Sequence, residues 1–342
     1  MEIRCDLVLL SWNNLAILKR CVESLMRCTG VASRLIIVDN GSTEKGIREF
    51  LSEIKDGPNI RVEVIFNRLN EGFPLGMNKG MERSRAPYVC LLNNDIIATE
   101  GWLEEMIRVA GSDPSVGIVN PSSNNFGLRF GEDTTLEEFS RGFVKHSGEW
   151  IEMNASVGFC MLIKREVIEK IGFLDDKFGY AYFEDTDYSR RAQAAGFKCA
   201  MANGCYVYHE EGKSGKFLKD KDDTFDRSAR IFEKRWGRIL RVAFIVTEKE
   251  AVSMEKAAQE IREELVGHNR VWLFVEKGVD LSSLPKHLDL MNDSPKNFFK
   301  LRSFWNIIIR KKRFDRIYTG DPVLRGALAG YRFFRGAEIR EI

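Results

Sequence analysis

The feature that most constrains the fold is an alternation of short apolar runs with stretches of helical periodicity. The apolar runs cover residues 6–11, 34–39, 62–67, 88–92 and 116–119. The stretches between them, where apolar residues recur at helical spacing, are 15–28, 44–54, 74–83 and 101–110. Because the runs are almost continuously apolar, helices should cover both faces of the sheet. The pattern predicts an α/β fold with an open parallel sheet.

The pattern changes twice along the chain. Residues 120–150 are rich in Ser, Asn, Gly and charged residues and predict a long loop. The elements expected after it are strands at 155–163, 198–201 and 205–208, a turn at 172–182, and helices at 165–171, 184–195 and 217–236. The alternation then restarts near residue 241, which predicts two domains, 1–240 and a smaller α/β domain at 241–342.

The second domain has its own predicted elements. They are strands at 242–247, 271–275, 287–291 and 316–319 and helices at 251–265, 298–310 and 323–334. Residues 337–342 resemble one more strand, so we expect the chain to stop partway through a larger domain.

Composition excludes several classes of protein. The 52 basic and 50 acidic residues nearly cancel, so no overall positive field indicates a nucleic-acid partner. The seven cysteines form no C-x-x-C pair, which favours free thiols in a cytoplasmic protein over disulfides or zinc. No apolar stretch reaches the roughly 18 residues of a membrane span, and the apolar stretch of residues 6–12 is too short to predict a signal peptide.

Polar residues follow each of the first four strands. They are Ser11-Trp12-Asn13-Asn14, Asp39-Asn40-Gly41-Ser42, Asn67 with Asn70-Glu71-Gly72-Phe73, and Asn93-Asn94-Asp95. Any one of these groups is also explained by turns and helix caps. Because ligands of open α/β sheets bind at the carboxyl ends of the strands, four such groups in register predict a binding crevice.

Two of these groups indicate a nucleotide. Asp39 ends a strand, where its carboxylate can accept a hydrogen bond from a uracil or thymine N–H; the alternative is that it caps the following turn. Residues 70–80 place glycines four apart at a helix start, but they match neither G-x-G-x-x-G nor the P-loop. Alone, that stretch is a weak phosphate signal.

The acidic residues predict metal and base chemistry. Asp95 follows two asparagines, and one carboxylate suffices for a hard cation that bridges a diphosphate; Asx turns are the alternative. Glu184, Asp185 and Asp187 open a helix, where the helix dipole alone favours acids. A carboxylate there, facing Asp95, can serve as a general base.

His209 ends a predicted strand beside two acidic residues. It is either a structural hydrogen-bonding residue or a ligand of a metal or diphosphate. The chain has no H-E-x-x-H motif, no Ser-His-Asp order and no zinc spacing, which leaves hydrolase and zinc-site interpretations without support.

Residues 1 to about 240 resemble family 2 glycosyltransferases of the GT-A fold. The matching segments are VDNGS (38–42), NEGF and GMNKG (70–80), LLNNDI (91–96), VGFCMLIKREV (157–167), GFLDDKF (172–178), YFEDTDYSRRAQAAGF (182–197), YHEEGKSG (208–215) and KRWG (234–237). Their order and spacing are most similar to the non-processive, rhamnosyltransferase-like branch.

The resemblance implies a Rossmann-like mixed sheet and an enzyme that inverts the anomeric carbon. It implies transfer of a sugar from a UDP- or dTDP-sugar, with Mg²⁺ or Mn²⁺, to a hydroxyl of a glycan or lipid-linked acceptor in surface polysaccharide synthesis. The acceptor is expected at residues 120–150 and 172–182.

The resemblance also implies roles for individual residues. Asp185 is the expected general base, and Glu184 and Asp187 are expected to position the acceptor. Asp95 is expected to hold the metal with help from His209. The expected donor-binding residues are Ser11, Asn13, Asp39, Asn40, Asn70, Gly72, Phe73, Asn78, Asn93 and Asn94, of which Asp39 contacts the base and Asn94 lies near the ribose.

The chain departs from the family pattern at the D-x-D motif. Asn93-Asn94-Asp95 stands there and leaves one carboxylate, which predicts a weaker metal site. The Q-x-x-R-W signature of processive synthases is absent, so single transfers are expected.

The second domain lies outside the resemblance and is only faintly similar to the start of a GT-B N-terminal domain. A docking role is as well supported there as a second activity. Residues 307–313 are amphipathic and basic, which suits either contact with anionic lipid at the inner face of a membrane or a solvated helix end.

Two other functions remain open at this level. A non-catalytic module that binds sugar nucleotides or glycans is favoured by the missing first aspartate of the D-x-D motif. A sugar-phosphate nucleotidyltransferase is less well supported, because no glycine-rich basic loop follows the first strand.

Overall fold

The computed structural model describes residues 2–131, 133–210, 221–247, 254–266, 269–276, 279, 291–293, 299–309 and 313–342. It divides into two compact units, Met1–Arg235 and Trp236–Ile342. The division falls close to the predicted boundary at residue 240.

The first unit alternates strands and helices. Its strands are β1 (Cys5–Ser11), β2 (Ser33–Asp39), β3 (Ile60–Phe66), β4 (Tyr88–Asn93), β5 (Ile96–Ala98), β6 (Val116–Ser122), β7 (Trp150–Met153), β8 (Cys160–Lys164) and β9 (Lys198–His209). Its helices are α1 (Leu15–Cys28), α2 (Ile47–Glu53), α3 (Phe73–Arg83), α4 (Trp102–Ser112), α5 (Leu136–Arg141), α6 (Arg165–Ile171), α7 (Glu184–Ala194) and α8 (Lys221–Trp236).

The described strands of this unit form a mixed sheet in the order β3-β2-β1-β4-β8-β6-β9-β5, with β7 also paired to β9. Strands β1 to β4 are parallel, whereas β8 runs antiparallel to both of its neighbours. The predicted α/β class and the mixed sheet implied by the resemblance are confirmed. The order reverses at β1, so β1 and β4 form a topological switch point, where a crevice opens at the carboxyl ends of the strands.

Several predicted elements need correction. Strand β9 is one strand, Lys198–His209, where two short strands were predicted. The irregularity lies between the two predicted strands, because the pairing with β6 jumps there from Ala202 to Tyr206. Residues 120–150 are not simply a loop: they contain α5 and two single-turn 3₁₀ helices. The described part of α8 starts at residue 221, and residues 217–220 of the prediction lie outside the described residues.

Close packing of α3 on β1 positions the crevice. Gly76 and Gly80 lie directly over Leu10 and Val8, and a Cβ at either glycine would overlap those side chains. The missing side chains let the helix axis approach the sheet. The N-terminus of α3 therefore lies at the carboxyl edge of β1 and β2.

The second unit has a parallel sheet with helices between its strands. Its described elements are β10 (Arg241–Val246), α9 (Met254–Val266), β11 (Arg270–Val275), β12 (Met291–Asp293), α10 (Phe299–Ile309), β13 (Arg316–Tyr318), α11 (Pro322–Arg335) and β14 (Glu338–Arg340). The strand order is β12-β11-β10-β13-β14, and apolar clusters cover both faces. The predicted strand at 287–291 falls, except for Met291, outside the described residues.

The seven cysteines all lie in described parts of the chain and are free thiols, six of them buried. Among the described residues, no helix combines the length and the apolar character needed to cross a bilayer.

Candidate active site at the carboxyl edge of the first sheet

A cavity of about 220 Å³ opens at the switch point between β1 and β4. Its lining residues are Leu10, Trp12, Asn40, Asn70, Phe73, Asn93, Asn94, Tyr180, Ala181 and Tyr182. The loops after the parallel strands supply one side, as the sequence predicts. The other side is the corner that precedes α7, within the turn where the acceptor was expected.

A network of asparagine side chains holds these loops together. The Nδ2 of Asn40 donates to Asn70 Oδ1 at 2.9 Å and to the Gly72 carbonyl at 3.1 Å. Its Oδ1 accepts hydrogen bonds from Asn67 Nδ2 at 2.9 Å and from the Glu71 amide at 3.2 Å. Because both ends of the Asn40 amide are used, this residue shapes the cavity wall and contributes no free polar group.

The corner that precedes α7 packs directly against the N-terminus of α3. Gly72 has φ 90°, and a Cβ there would overlap the carbonyl oxygen of Gly179. The Phe73 amide donates to the Tyr180 carbonyl at 2.9 Å. One of the amides that could have bound a phosphate is thus occupied within the chain, and Gly72 is required for the close approach.

The loop after β1 is built on two left-handed residues. Asn13 and Asn14 have φ of 55° and 61°, a conformation that asparagine tolerates better than most residues. The Asn13 Oδ1 accepts hydrogen bonds from the amides of Thr43 and Glu44 at 2.9 and 3.1 Å. The predicted donor-binding residue Asn13 therefore joins the β1 and β2 loops.

Two predicted residues lie deep at the strand ends. Ser11 is fully buried, and its Oγ has no hydrogen-bond partner among the described residues, whereas Asp39 is 4% exposed. The Asp39 Oδ1 accepts a hydrogen bond from the Ser42 amide at 3.3 Å, which is the turn-capping contact considered as its alternative role. The other carboxylate oxygen has no hydrogen bond of its own in that turn.

Asn78, which was predicted to bind the donor, forms hydrogen bonds with the backbone of Leu174. Its Nδ2 donates to the Leu174 carbonyl at 2.8 Å, and its Oδ1 accepts from the Leu174 amide at 3.0 Å. Asn78 does not line the cavity. Its amide is used in both directions and links α3 to the segment after α6, and the predicted contact of Asn78 with the donor stays a prediction.

Asp95 and His209 meet beside the cavity. The His209 Nε2 lies 3.0 Å from Asp95 Oδ1, and the His209 Nδ1 lies 3.0 Å from Asn125 Oδ1. The Phe159 ring stacks on the imidazole with centroids 5.1 Å apart and an interplanar angle of 16°. Since an amide oxygen only accepts, Nδ1 carries a proton and Nε2 is directed at the carboxylate.

The turn that orients His209 was not predicted from the sequence. Asn124 accepts from the His209 amide and donates to its carbonyl, both at 2.8 Å. Asn125 then reaches the ring. The only sequence signal was the pair of adjacent asparagines inside the polar stretch 120–150.

The Asp95–His209 pair suits a divalent cation whose remaining ligands come from a bound diphosphate and water. It offers one carboxylate oxygen and one imidazole nitrogen, which are ligands that Mn²⁺ accepts. The Asn125 contact is of the kind that fixes the tautomer of a metal-binding histidine. Within the described residues, no cluster of three or more acidic, histidine or cysteine side chains offers a complete protein cage.

Asp185 lies next to the cavity wall. Its Oδ2 accepts from the Gly158 amide at 2.9 Å, and its Oδ1 accepts from the Thr186 amide at 2.6 Å. A Cβ added at Gly158 would lie 3.4 Å from Asp185 Cβ and 3.6 Å from Phe73 Cζ, so all three are neighbours. Burial raises the pKa of Asp185, and these hydrogen bonds oppose that rise.

Glu184 is a buried acid with an unsatisfied oxygen. Glu184 is 7% exposed, and its Oε2 has no hydrogen-bond partner in the part of the chain that the structure describes. Burial, with a smaller effect from the charge of Asp185, raises the pKa of Glu184 to about 8. Glu184 is therefore mainly neutral at pH 7.

Asp187 is an internal ion-pair residue. It is fully buried, and its carboxylate accepts from Arg191 Nε at 2.9 Å and from Arg235 Nη1 at 2.6 Å. Asp185 and Asp187 are positions i and i+2 of helix α7. Their side chains therefore lie on different sides of the helix. The contacts of Asp187 support a structural role, and its predicted role in positioning the acceptor stays a prediction.

The corner before α7 is conformationally strained. Tyr182 and Phe183 have φ of 75° and 69°, and neighbouring non-glycine residues in this region cost roughly 1–3 kcal/mol each. Such strain is found where a particular side-chain direction is needed. Here it directs Tyr182 to the cavity and starts α7 at Glu184.

Helix α8 holds this corner in place. The Ser228 Oγ donates to the Ala181 carbonyl at 2.9 Å, and the Phe183 ring packs on Phe225 and Phe232 with centroids 5.3 and 5.2 Å away. The sequence predicted the helix but not this contact.

The first part of the chain is similar to known glycosyltransferases. The family model described as glycosyl transferase family 2 matches residues 6–172. Uncharacterized protein y4gI of Sinorhizobium fredii (strain NBRC 101917 / NGR234) is 26% identical over 245 residues, which are 66% of this chain and 26% of that protein. Glycosyltransferase GlyG of Streptococcus pneumoniae serotype 4 is 25% identical over 222 residues, 60% of this chain and 70% of GlyG.

The chain thus spans about a quarter of y4gI. Among solved structures, that of GalNAc-T7 with UDP, GalNAc and Mn²⁺ is similar at TM-score 0.52 and 15% identity, over 78% of this chain and 55% of that one. At this identity the likeness concerns the fold alone. The matched family region ends at residue 172, before the acids of α7 and before His209.

Proposed function

Because the family model described as glycosyl transferase family 2 matches residues 6–172, we propose that this chain transfers a sugar from a nucleoside diphosphate sugar to an acceptor hydroxyl with inversion at the anomeric carbon. The observation that carries the proposal is the convergence, beside one cavity, of the Asp95–His209 pair and the carboxylate of Asp185. The similarity to GlyG, which is named a glycosyltransferase, supports the transferase class.

The donor binds in the cavity at the switch point. Asp39, at the end of β2, accepts an N–H of the base, and Asn94 contacts the ribose. Tyr180 and Tyr182 form the opposite wall and exclude water from the sugar. UDP- and dTDP-sugars fit the Asp39 interaction, because both bases present an N–H next to carbonyl oxygens.

Asp95 and His209 would hold a divalent cation, Mg²⁺ or Mn²⁺, against the donor diphosphate. GalNAc-T7, which shares the fold, was solved with UDP and Mn²⁺, which supports this assignment. When bound, the cation supplies positive charge that stabilises the leaving nucleoside diphosphate. The single carboxylate is consistent with a cation that arrives together with the nucleotide.

Asp185 acts as the general base. Its carboxylate takes the proton of the acceptor hydroxyl while the hydroxyl oxygen bonds to the anomeric carbon and the bond to the diphosphate breaks. One displacement inverts the configuration. The hydrogen bonds from Gly158 and Thr186 favour the charged form of this carboxylate, and neutral Glu184 beside it adds no competing negative charge.

The acceptor is a glycan or lipid-linked glycan used in surface polysaccharide synthesis, and it approaches across residues 172–182. Single transfers are expected.

The test is release of nucleoside diphosphate from a panel of UDP-, dTDP- and GDP-sugars with Mg²⁺ or Mn²⁺ and a glycan acceptor panel. Asp95→Ala and Asp185→Asn should abolish release from the one active donor, and Asp185→Asn should still bind that donor. Asp223→Asn, an exposed acid on α8, is the matched control and should retain activity.

Turnover by Asp185→Asn would indicate that Glu184 is the general base.

The single carboxylate of Asn93-Asn94-Asp95 favours one competing function, a non-catalytic sugar-nucleotide module. Its signature would be a donor that raises the melting temperature in an Asp39-dependent way without turnover under either metal.

A further inference from the structure

Helix α10 of the second unit carries an exposed apolar stripe. Leu301, Trp305 and Ile309 are 55%, 53% and 66% exposed and follow one another at intervals of four residues. Residues at this spacing lie on one side of a helix. The helix has a separate buried side, where Phe299 and Ile307 join the core of the unit, so packing of the unit itself does not need the stripe.

The same segment is strongly basic. Residues 299–313 contain six basic residues and no acidic one, whereas the whole chain has a net charge of only +2. Arg302 and Arg313 are exposed, and Lys300 pairs with Asp321. Arg310, Lys311 and Lys312 lie outside the described residues. In the sequence, positive charge is thus concentrated in the segment that carries the apolar stripe.

We infer that α10 is a docking surface for an anionic lipid bilayer. A helix with an apolar stripe flanked by Lys and Arg binds in the interface between headgroups and acyl chains, where the basic groups meet lipid phosphates. Tryptophan prefers this depth because its ring is apolar and its N–H needs a polar partner. This inference does not depend on the proposed transferase activity.

The size and charge of the surface favour a membrane over a second copy of the chain. A stable protein interface buries about 800 Å² on each partner with complementary shapes. Three partly exposed side chains on one helix provide far less. Two copies would also bring their basic segments together, which like-charge repulsion disfavours. A bilayer requires no shape match and supplies the opposite charge.

The test is co-sedimentation of the full chain with phosphatidylcholine vesicles, with and without phosphatidylglycerol, at two salt concentrations. The wild-type protein should bind the anionic vesicles, and its binding should weaken as the salt concentration rises. The double variant Trp305→Ser/Ile309→Ser should bind about tenfold more weakly. Val144→Ser, which removes a similarly exposed apolar side chain from the first unit, should bind like wild type.

Two further measurements separate folding from docking. Arg302→Glu changes only an exposed charge and should weaken binding without lowering the melting temperature. Trp305→Phe should remove the blue shift of tryptophan fluorescence on vesicle addition. The inference is overturned by equal binding of neutral and anionic vesicles, by wild-type binding of the stripe variant, or by a dimer in solution that the stripe variant abolishes.

Discussion

The Nε2 of His209 lies 3.0 Å from Oδ1 of Asp95, although the two residues are 114 positions apart. A short antiparallel pairing causes this meeting. Strand β5 begins directly after Asp95, and Ile96 pairs with His209 at the end of β9. The Glu210 amide also donates to the Asp95 carbonyl at 2.8 Å. Both side chains therefore lie at the same end of this ladder, which holds the carboxylate and the imidazole in register.

We predict that Asp95→Asn and His209→Ala both reduce Mn²⁺ affinity measured in the presence of UDP by about 10- to 100-fold. Asn125→Ala should have a smaller effect, about tenfold, because it leaves both ligands but frees the imidazole ring. Counting free Mn²⁺ by electron paramagnetic resonance measures this without turnover. Asn59→Ala is the matched control, and an Asn125→Ala affinity equal to the control would exclude an orienting role.

The Glu184 carboxyl should make stability depend on pH. Burial raises its pKa from 4.5 to about 8, so the folded state holds a proton that the unfolded state has lost between these values. The free energy of unfolding should therefore fall as pH rises from about 4.5 to about 8. Glu184→Gln should flatten this part of the curve in urea unfolding between pH 5 and 8.5. Glu169→Gln, at an exposed position on α6, should retain the wild-type slope.

Gly72→Ala should weaken donor binding and destabilise the first unit. A methyl group there meets the Gly179 carbonyl, and alanine is strained at φ 90°. Gly111→Ala is the contrasting change, because a Cβ added at this position inside α4 would have nothing within 4 Å. We expect it to raise stability by up to about 1 kcal/mol through helix propensity. Melting temperatures and UDP titration of both variants check this, and equal donor affinity would argue against the proposed contact across the cavity.

Asp187→Ala should cost stability, roughly 3–5 kcal/mol, because it leaves Arg191 and Arg235 without their buried partner. Asp185→Asn should cost little stability and act on transfer. Urea unfolding of both variants, combined with the release assay, separates the two acids. An Asp187→Ala protein of wild-type stability that fails in transfer would favour the predicted acceptor-positioning role over the structural one.

Much of the site could be predicted from the sequence, because one side of the cavity is formed by residues at the ends of the predicted parallel strands. Asn40, Asn70, Phe73, Asn93 and Asn94 end or follow strands of a parallel sheet, and they line the cavity. The roles of individual residues could be predicted less well from the sequence. Asn40 and Asn78 are the residue types expected of ligands, yet their amides are used within the chain, which depends on partners 30 to 96 positions away.

The sequence by itself determined the α/β class, the polar strand ends and the acids that open α7. These features are local, because hydrophobic periodicity and turn composition act over a few neighbouring residues. Only the tertiary structure decided that Asp95 faces His209, that Asn125 orients that histidine, and that Asp187 is buried against two arginines. These arrangements depend on strand register and on helix packing between distant segments, and no local pattern carries that information.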